Sequence, residues 1–403
     1  MNIPSAESGP AGPKASARTD VDRIDGGKAF EYNPSLDGLR AIAVAGVIAG
    51  HAGFSISGFH GVTVFFVISG YLITSLLLAE HSRSGGISLR HFYWRRFARL
   101  GPALTLVVLV TIAWLVATQV PFSKWWVGAV GALTYTTDLL SPATGGNAVS
   151  SAFEWSWSLG IEEQFYLVWP MLLILLLKAR RNIRPLLAVL IIGVASSWAW
   201  KAALALFHRG SHEIAFYGPL SHIDALMLGV AASVVMLRTN NAGNVRSVSR
   251  VLGPLGVAGL IVVAVRPQGF PGHDLLDPTG SSQTAIFATA ALLWIVTSPR
   301  GAFSRALSVS PLAFLGKLSY GLYLWNLLLV LIWTAAFGTA PAATPWGTLW
   351  AVALLSLCYL SWRCVETPLR KRWAPPRNHS VRTSDLGSDG SPGQGGGGVS
   401  AQL

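Results

Sequence analysis

Long apolar runs alternate with short polar segments along most of this 403-residue chain. A helix that crosses a lipid bilayer needs about 20 mainly apolar residues, and about ten segments meet that requirement. They are centred on Leu36–Gly53, Gly61–Ala79, Gly101–Val120, Glu163–Leu177, Pro185–Phe207, Phe216–Leu237, Val251–Val265, Thr284–Thr297, Pro311–Phe337 and Trp346–Trp362. The pattern predicts an all-α fold, a polytopic transmembrane helix bundle of about ten spans.

One further apolar run, Trp125–Leu140, is short and contains three threonines and Asp138. If the N-terminus is cytoplasmic and this run does not cross, the basic loops fall on one side and the loops poor in Lys and Arg on the other, as the positive-inside rule requires. If the run crossed, the basic loop Lys178–Arg184 would move to the outside. The sequence therefore predicts both termini in the cytoplasm and Trp125–Leu140 as a re-entrant or interfacial segment.

Composition points to the same class of protein. Only 12% of the residues are charged, against about 25% in soluble proteins, while 52% are hydrophobic and the mean hydropathy is +0.49. The net charge of +12 comes from short clusters between the apolar runs, as expected for cytoplasmic loops, so we exclude nucleic-acid binding. The prediction is a multi-pass protein of the cell (plasma) membrane whose main partner is the lipid bilayer.

The ends of the chain are polar. Residues 1–31 lack the apolar core of a signal peptide, and residues 373–403 end in a Gly/Ser-rich tract. We predict disordered cytoplasmic tails on either side of one transmembrane domain, residues 32–372. Cys358 and Cys364 are predicted to be buried thiols rather than a disulfide, because residues six positions apart on a helix point in different directions. No spacing of Cys or His suggests a metal site, so none is predicted.

Ionisable groups inside a span are costly and mark a functional site by default. Arg40 and His51 lie on the first predicted span, eleven positions or about 16 Å apart on one face. A neutral imidazole near pH 7 suits a general base, so His51 is a candidate to take a proton from an acceptor hydroxyl. The alternative is an interfacial histidine with a snorkelling arginine.

Two further charged pairs flank spans. Arg96 and Arg99 are neighbours on a helix and could hold phosphates, or they could be ordinary positive-inside charge. Glu162 and Glu163, at the predicted external start of a span, could orient an imidazole or bind a sugar hydroxyl. The alternative is favourable acidic charge at a helix N-terminus.

Other polar positions allow simpler explanations. The string GVTVFFVISG, residues 61–70, carries small residues that let membrane helices pack closely. His222 and Asp224 could pair or cap a helix. Lys317 and Asn326 form a predicted buried polar pair without an assigned role.

Five strings now stand in order along the chain: SLDGLRAIAVAGVIAGHAG, GVTVFFVISGYLIT, FYWRRFARLGP, SWSLGIEEQFYLVWP and LSYGLYLWN. In this order they resemble the membrane acyltransferase family 3, with the likeness running from about Tyr32 to Pro368. The resemblance implies a bundle of about ten helices that O-acylates sugars and other hydroxyls in envelope glycans, glycolipids or antibiotics.

The resemblance also implies roles for individual residues. It places one motif on Arg40 and His51 and makes His51 catalytic, with Glu162 as the family glutamate and Glu163 beside it. It links Arg96 and Arg99 to acyl-CoA, and Arg40 is a further candidate for binding the acyl-CoA phosphates. The candidate acceptor-binding residues are Asp37, Ser69, Tyr166, His222, Asp224 and Asn326. Acyl-CoA, with acetyl as the commonest acyl group, is expected as a co-substrate rather than a bound cofactor.

The chain departs from the family pattern at three places. Thr63 replaces a frequent aspartate, Asn326 replaces a histidine, and His222 replaces a common arginine. These changes leave the expected base and phosphate site intact and leave the acceptor open. Many members carry a fused extracytoplasmic hydrolase-like domain, which is not expected here.

The expected mechanism has acyl-CoA docking from the cytoplasm, with its phosphates on the arginines and its acyl arm reaching His51. Glu162 would support His51 or bind the acceptor, and direct transfer and a covalent acyl-enzyme are both open. A transporter that uses intramembrane Arg, His and Glu is one alternative, although no repeated half is visible. A non-catalytic relative is the other.

Overall fold

A computed structural model of the chain describes residues 32–143, 150–178, 183–207, 216–238, 242–265 and 281–373. Regular secondary structure in these residues is helical throughout, which confirms the predicted all-α class. The two predicted tails lie outside the described residues, except that Trp373, assigned to the C-terminal tail, still belongs to the last helix.

The helices follow the apolar runs. The first eight are α1 Pro34–His51, α2 Phe59–Ser84, α3 Leu89–Ala117, α4 Trp126–Thr134, α5 Thr137–Ala143, α6 Trp157–Lys178, α7 Arg184–Phe207 and α8 Ile223–Arg238. The others are α9 Ala242–Val265, α10 Ser281–Thr297, α11 Ala302–Leu307, α12 Ser310–Lys317, α13 Ser319–Phe337, α14 Gly347–Ser361 and α15 Thr367–Trp373. Between α14 and α15 lies a π-helical turn, Trp362–Glu366.

Each predicted span overlaps one of these helices, except that Pro311–Phe337 is divided between α12 and α13. Within the described residues, seven helical runs are long and apolar enough to cross a membrane: α2, α3, α6 with its preceding turn, α7, α9, α13, and α14 continuing through α15. Two apolar helices, α8 and α10, are shorter. The chain is therefore a multi-pass membrane protein, and the number of ten spans stays a prediction.

The ambiguous run Trp125–Leu140 does not form one continuous helix. It is divided between α4 and α5, and the chain turns at Tyr135, which has a left-handed backbone with φ of 58°. The prediction that this run differs from the spans is thus supported by its shape.

The predicted segment Pro311–Phe337 is not one helix. It breaks at Leu318, which separates α12 from α13. α12 packs closely on α1, because a Cβ added at Gly316 would lie 1.9 Å from the carbonyl oxygen of Asp37. The break at Leu318 therefore lies next to a close contact between α12 and α1.

Small residues set the distance between α2 and its neighbours. A Cβ at Gly70 would lie 2.1 Å from the carbonyl oxygen of Leu226, and one at Gly229 would lie 2.1 Å from that of Val67. The hydroxyls of Ser75 and Ser233 are 2.8 Å apart in the same contact. The packing role predicted for the glycine-rich string is confirmed.

The bundle has two distinct ends. α1 runs from the end that holds Asp37 and Arg40, here called the arginine end, to the end that holds His51, here called the histidine end. The backbone amide of Ala342 donates to the carbonyl oxygen of Ala52 at 2.9 Å, so the segment that follows α13 also lies at the histidine end.

Candidate active site

A partly open cavity of about 260 Å³ lies between α1, α2, α3, α6, α12, α13 and the C-terminal arm, residues 362–373. Its wall is unusually charged for the interior of a membrane protein. The charged residues that line it are Asp37, Arg40, Arg96, Arg99, Glu162, Glu163, Lys317, Glu366 and Arg370. The sequence-predicted arginines and glutamates therefore share one cavity.

Arg96 is held by a carboxylate and an aromatic ring. Its Nη2 lies 2.6 Å from Oε1 of Glu163, and its Nε donates to both oxygens of that carboxylate at 2.8 and 2.9 Å. The guanidinium stacks over the ring of Tyr166, 3.3 Å from its centroid. This arrangement occupies the planar face and one edge of the guanidinium, so Arg96 has fewer groups left for a ligand.

Glu162 lies beside this pair. Its carboxylate accepts hydrogen bonds from the hydroxyls of Ser69 and Tyr166, and it lies 3.9 Å from Nη2 of Arg96. Both glutamates stand in the second turn of α6, whose first turn carries no acidic residue. The alternative of acidic charge at a helix N-terminus is therefore wrong, and the carboxylates belong to the cavity network.

Arg40 and Arg99 face the same cavity without such a partner. Among the described residues, no carboxylate lies within 4 Å of either guanidinium. Nε of Arg40 is buried without a hydrogen-bond partner, and its guanidinium lies 5.8 Å from the ring centroid of Phe65. Two cations facing open space are suited to bind an anion.

His51 lies at the other end of α1 and does not line the cavity. Its Nδ1 is 2.5 Å from Oδ1 of Asn326. The amide nitrogen of Asn326 donates to the carbonyl oxygens of Leu322 and Tyr323 at 3.2 and 2.5 Å. Because the amide nitrogen is used in this way, its oxygen faces the imidazole, so Nδ1 carries the proton and Nε2 holds a free lone pair.

Along α13, Tyr323 lines the cavity, and Asn326, the partner of His51, lies beyond it. Its hydroxyl donates to the carbonyl oxygen of Trp155 at 2.7 Å and accepts from the hydroxyl of Ser158 at 2.6 Å. Tyr323 and Ser158 line the cavity, and Asn326 lies one helical turn, about 4.5 Å, further along α13. The structure thus brings the glutamates, Ser69 and Tyr166 together, but not into hydrogen-bond contact with His51.

Asp37 and Lys317 lie at the arginine end. Asp37 accepts from the hydroxyl of Tyr32 at 2.5 Å, and burial followed by this hydrogen bond raises the pKa of that phenol. The ammonium group of Lys317 lies 5.3 Å from the ring centroid of Tyr32. The predicted pair of Lys317 with Asn326 is therefore wrong, since Asn326 contacts His51 instead.

His222 and Asp224 do not line the cavity and do not pair with each other. Asp224 forms a buried ion pair with Lys201 at 2.9 Å, and Nε2 of His222 lies 2.7 Å from the carbonyl oxygen of Phe216. Three aromatic rings lie 5.1–5.6 Å from the imidazole centroid: Trp157, Phe59 and Phe66. The lone charge of Lys201 within an apolar run was the signal that could have revealed this pair.

Two cavity residues that were not predicted, Glu366 and Arg370, line it from the C-terminal arm. In the sequence they stand in a basic cluster, residues 363–377, of the kind expected for a cytoplasmic loop. The cysteine prediction is half right, because Cys358 is buried and Cys364 is exposed.

Curated relatives align with most of the chain. Peptidoglycan O-acetyltransferase OatA of Listeria monocytogenes is 30% identical over 363 residues, which is 85% of this chain and 56% of the relative. O-acetyltransferase OatA of Staphylococcus aureus is 29% identical over 376 residues, 88% of this chain and 60% of the relative. A putative peptidoglycan O-acetyltransferase, YrhL of Bacillus subtilis, is 29% identical over 363 residues, which is 84% of this chain and 55% of the relative. The chain thus matches little more than half the length of these relatives.

No solved structure matches this one significantly. A family model described as an acyltransferase domain matches residues 33–363, which include the whole cavity except Tyr32 and the last part of the C-terminal arm. The five ordered strings and the apolar helices agree with that match. The chain belongs to the membrane acyltransferase family 3.

Proposed function

We propose that this protein is a membrane-embedded O-acyltransferase that moves an acetyl group from acetyl-CoA to a hydroxyl of a sugar-bearing acceptor. The observation that carries the proposal is the pairing of His51 with Asn326 just beyond a cavity rich in arginine. A histidine with a fixed tautomer supplies a base, and unpaired guanidiniums supply a place for phosphates.

His51 acts as the general base through Nε2, because the hydrogen bond from Nδ1 to Asn326 keeps the proton on Nδ1. Nε2 takes the proton of the acceptor hydroxyl while that oxygen attacks the thioester carbonyl carbon. The carbon–sulfur bond then breaks, and the proton passes from Nε2 to the departing sulfur of coenzyme A. This sequence of bonds needs no covalent acyl-enzyme.

The donor enters from the arginine end, which we place in the cytoplasm. Arg40 and Arg99 meet its phosphates, whereas Arg96 positions Glu163 and, through Tyr166, Glu162. Tyr323 and Ser158 contact each other in the lining of the cavity, which does not include His51. For transfer at His51 the acyl arm must pass from the cavity to the imidazole, and we place its path at this contact.

The acceptor meets His51 from the histidine end. The names of the relatives from Listeria and Bacillus specify peptidoglycan, which favours an envelope glycan as the first acceptor class to examine. In this arrangement the acyl group crosses most of the bilayer before an acceptor hydroxyl at the histidine end receives it.

The reaction is tested by release of free thiol from radiolabelled acetyl-CoA, with purified protein and a panel of glycan acceptors. We expect acceptor-dependent release, reduced at least about 100-fold in His51→Ala, since a general base contributes that much or more. The matched control is His91→Ala, an exposed histidine outside the cavity. Normal release by His51→Ala would exclude it as the base, and transport of an acceptor without thiol release would indicate a transporter.

A further inference from the structure

The C-terminal arm, residues 362–373, forms one wall of the cavity. α14 ends at Ser361 and continues through the π turn Trp362–Glu366 into α15. A π turn changes the helical register, and such turns are frequent at functional sites. Here the π turn begins the arm, in which Glu366 and Arg370 line the cavity while Lys371 and Arg372 are exposed and do not line it.

The arm is fixed against α3, the helix that carries Arg96 and Arg99. Nε1 of Trp94 donates to the backbone carbonyl oxygen of Trp373 at 2.6 Å. The ring of Trp373 stacks on that of Phe97, with centroids 5.8 Å apart and 15° between the planes. The position of Arg370 is therefore built into the fold.

Arg370 adds to a group of positive charges that lack carboxylate partners. Arg99 experiences electrostatic repulsion from Arg40, Arg96 and Arg370. Arg96 is neutralised by Glu163, but in the described part of the chain no carboxylate lies within 4 Å of the other three. Glu366 acts on Arg99 and Arg370 only at longer range.

Three guanidiniums that face one cavity without partners repel each other, and a bound anion removes that cost. Guanidinium groups bind phosphate oxygens in pairs of parallel hydrogen bonds. A phosphate on a lipid headgroup and a phosphate on a soluble ligand share this chemistry. All three side chains line the cavity, which favours a soluble ligand that continues into it.

We propose that Arg370 of the C-terminal arm completes, with Arg40 and Arg99, a phosphate-binding site for the nucleotide part of coenzyme A. This inference rests on the proposed function, because it names where the donor of that reaction is held. Arg370 binds the donor and takes no part in proton transfer.

The test measures binding of coenzyme A, 3′-dephospho-coenzyme A and pantetheine to purified full-length protein by calorimetry. We expect Arg370→Gln to weaken coenzyme A binding about 10- to 100-fold, the usual effect of losing a hydrogen bond between charged groups. Arg370→Lys should recover part of the loss. Binding of pantetheine, which carries no phosphate, should not change. The matched control Arg372→Gln, two positions away and exposed, should bind like the wild type.

Thermal unfolding is monitored for each variant. If Arg370→Gln has a lowered melting temperature, the Arg370→Lys variant shows whether its weaker binding comes from the lost charge or from lost stability. Equal affinity of Arg370→Gln and wild type for coenzyme A overturns the inference. The measurement is repeated in nanodiscs with and without phosphatidylglycerol, and a loss of binding that Arg372→Gln shares and that depends on this lipid also overturns the inference, because it would identify a lipid site. Binding that depends on Arg370 in a protein that releases no thiol with any acceptor supports this site and contradicts the proposed function.

Discussion

Asn326 illustrates how a partner distant in sequence determines what a catalytic candidate can do. His51 stands out in the sequence as an ionisable residue at the end of an apolar run. The residue that fixes its tautomer lies 275 positions away, in a string that departs from the family pattern. The sequence placed Asn326 among acceptor-binding candidates, whereas its oxygen is engaged by the imidazole, so we interpret it as a positioning residue.

Replacing Asn326 should therefore affect turnover more than donor binding. We expect Asn326→Leu to lower kcat about tenfold or more, because Nδ1 of His51 loses its acceptor, with little change in KM for acetyl-CoA. Asn326→His, which restores an acceptor and matches the family string, should retain most of the activity. Steady-state kinetics with both substrates decide this, and a wild-type kcat in Asn326→Leu contradicts the positioning role.

The ion pair of Arg96 with Glu163 leads to a second prediction about individual residues. Arg96→Gln leaves a largely buried carboxylate without its partner, which should cost about 2–3 kcal/mol of stability after allowance for partial exposure. The double variant Arg96→Gln/Glu163→Gln should recover part of that loss. Thermal unfolding of the wild type, the single variants and the double variant in detergent gives the double-mutant cycle that measures this coupling. If Arg96→Gln unfolds like the wild type but loses affinity for coenzyme A, Arg96 is instead a direct phosphate ligand.

Helices were predictable where one long apolar run corresponds to one element. The break at Leu318 lies inside the predicted span Pro311–Phe337, and the π turn Trp362–Glu366 begins at the last residue of the predicted span Trp346–Trp362. The break accompanies the close approach of Gly316 to Asp37 on α1, and the π turn packs against α3. Hydropathy therefore predicts that a helix exists and is less able to show where it bends.

Gly160 lies where α5 approaches α6. A Cβ at this position would lie 2.2 Å from Oδ1 of Asp138 and 3.0 Å from the carbonyl oxygen of Tyr135. We expect Gly160→Ala to destabilise the protein by about 1–3 kcal/mol, as overpacking usually does. The control is Gly46→Ala on α1, whose added Cβ meets nothing within 4 Å, so it should be neutral or slightly stabilising. Equal melting temperatures for the two variants would show that α5 can move away from α6.

At the scale of the whole molecule, the ordered strings predicted the family and the acyltransferase class, and the family model confirms both. The shared cavity of the arginines and glutamates was not predictable from spacing. It arises because α1, α2, α3 and α6 meet with the C-terminal arm, which the sequence presented as a basic loop. The orientation of this cavity in the membrane stays a prediction from the distribution of positive charge.

That orientation decides which substrate can enter the cavity, and two exposed positions at opposite ends can report it. Ser82, near the end of α2, lies at the arginine end, and Thr339, in the turn after α13, lies at the histidine end. In a Cys364→Ser background, where the remaining Cys358 is buried, we expect a membrane-impermeant maleimide to label Thr339→Cys on intact cells. Ser82→Cys should be labelled only after permeabilisation.

The positive-inside rule and the chemistry of the donor predict the same labelling pattern in this experiment. Coenzyme A thioesters are cytoplasmic and charged, so a cavity that binds their phosphates must open to the cytoplasm. The reverse labelling pattern would place Arg40, Arg99 and Arg370 outside the cell, where the donor cannot reach them. It would then contradict the proposed acyl-CoA site even if the fold and the family assignment stand.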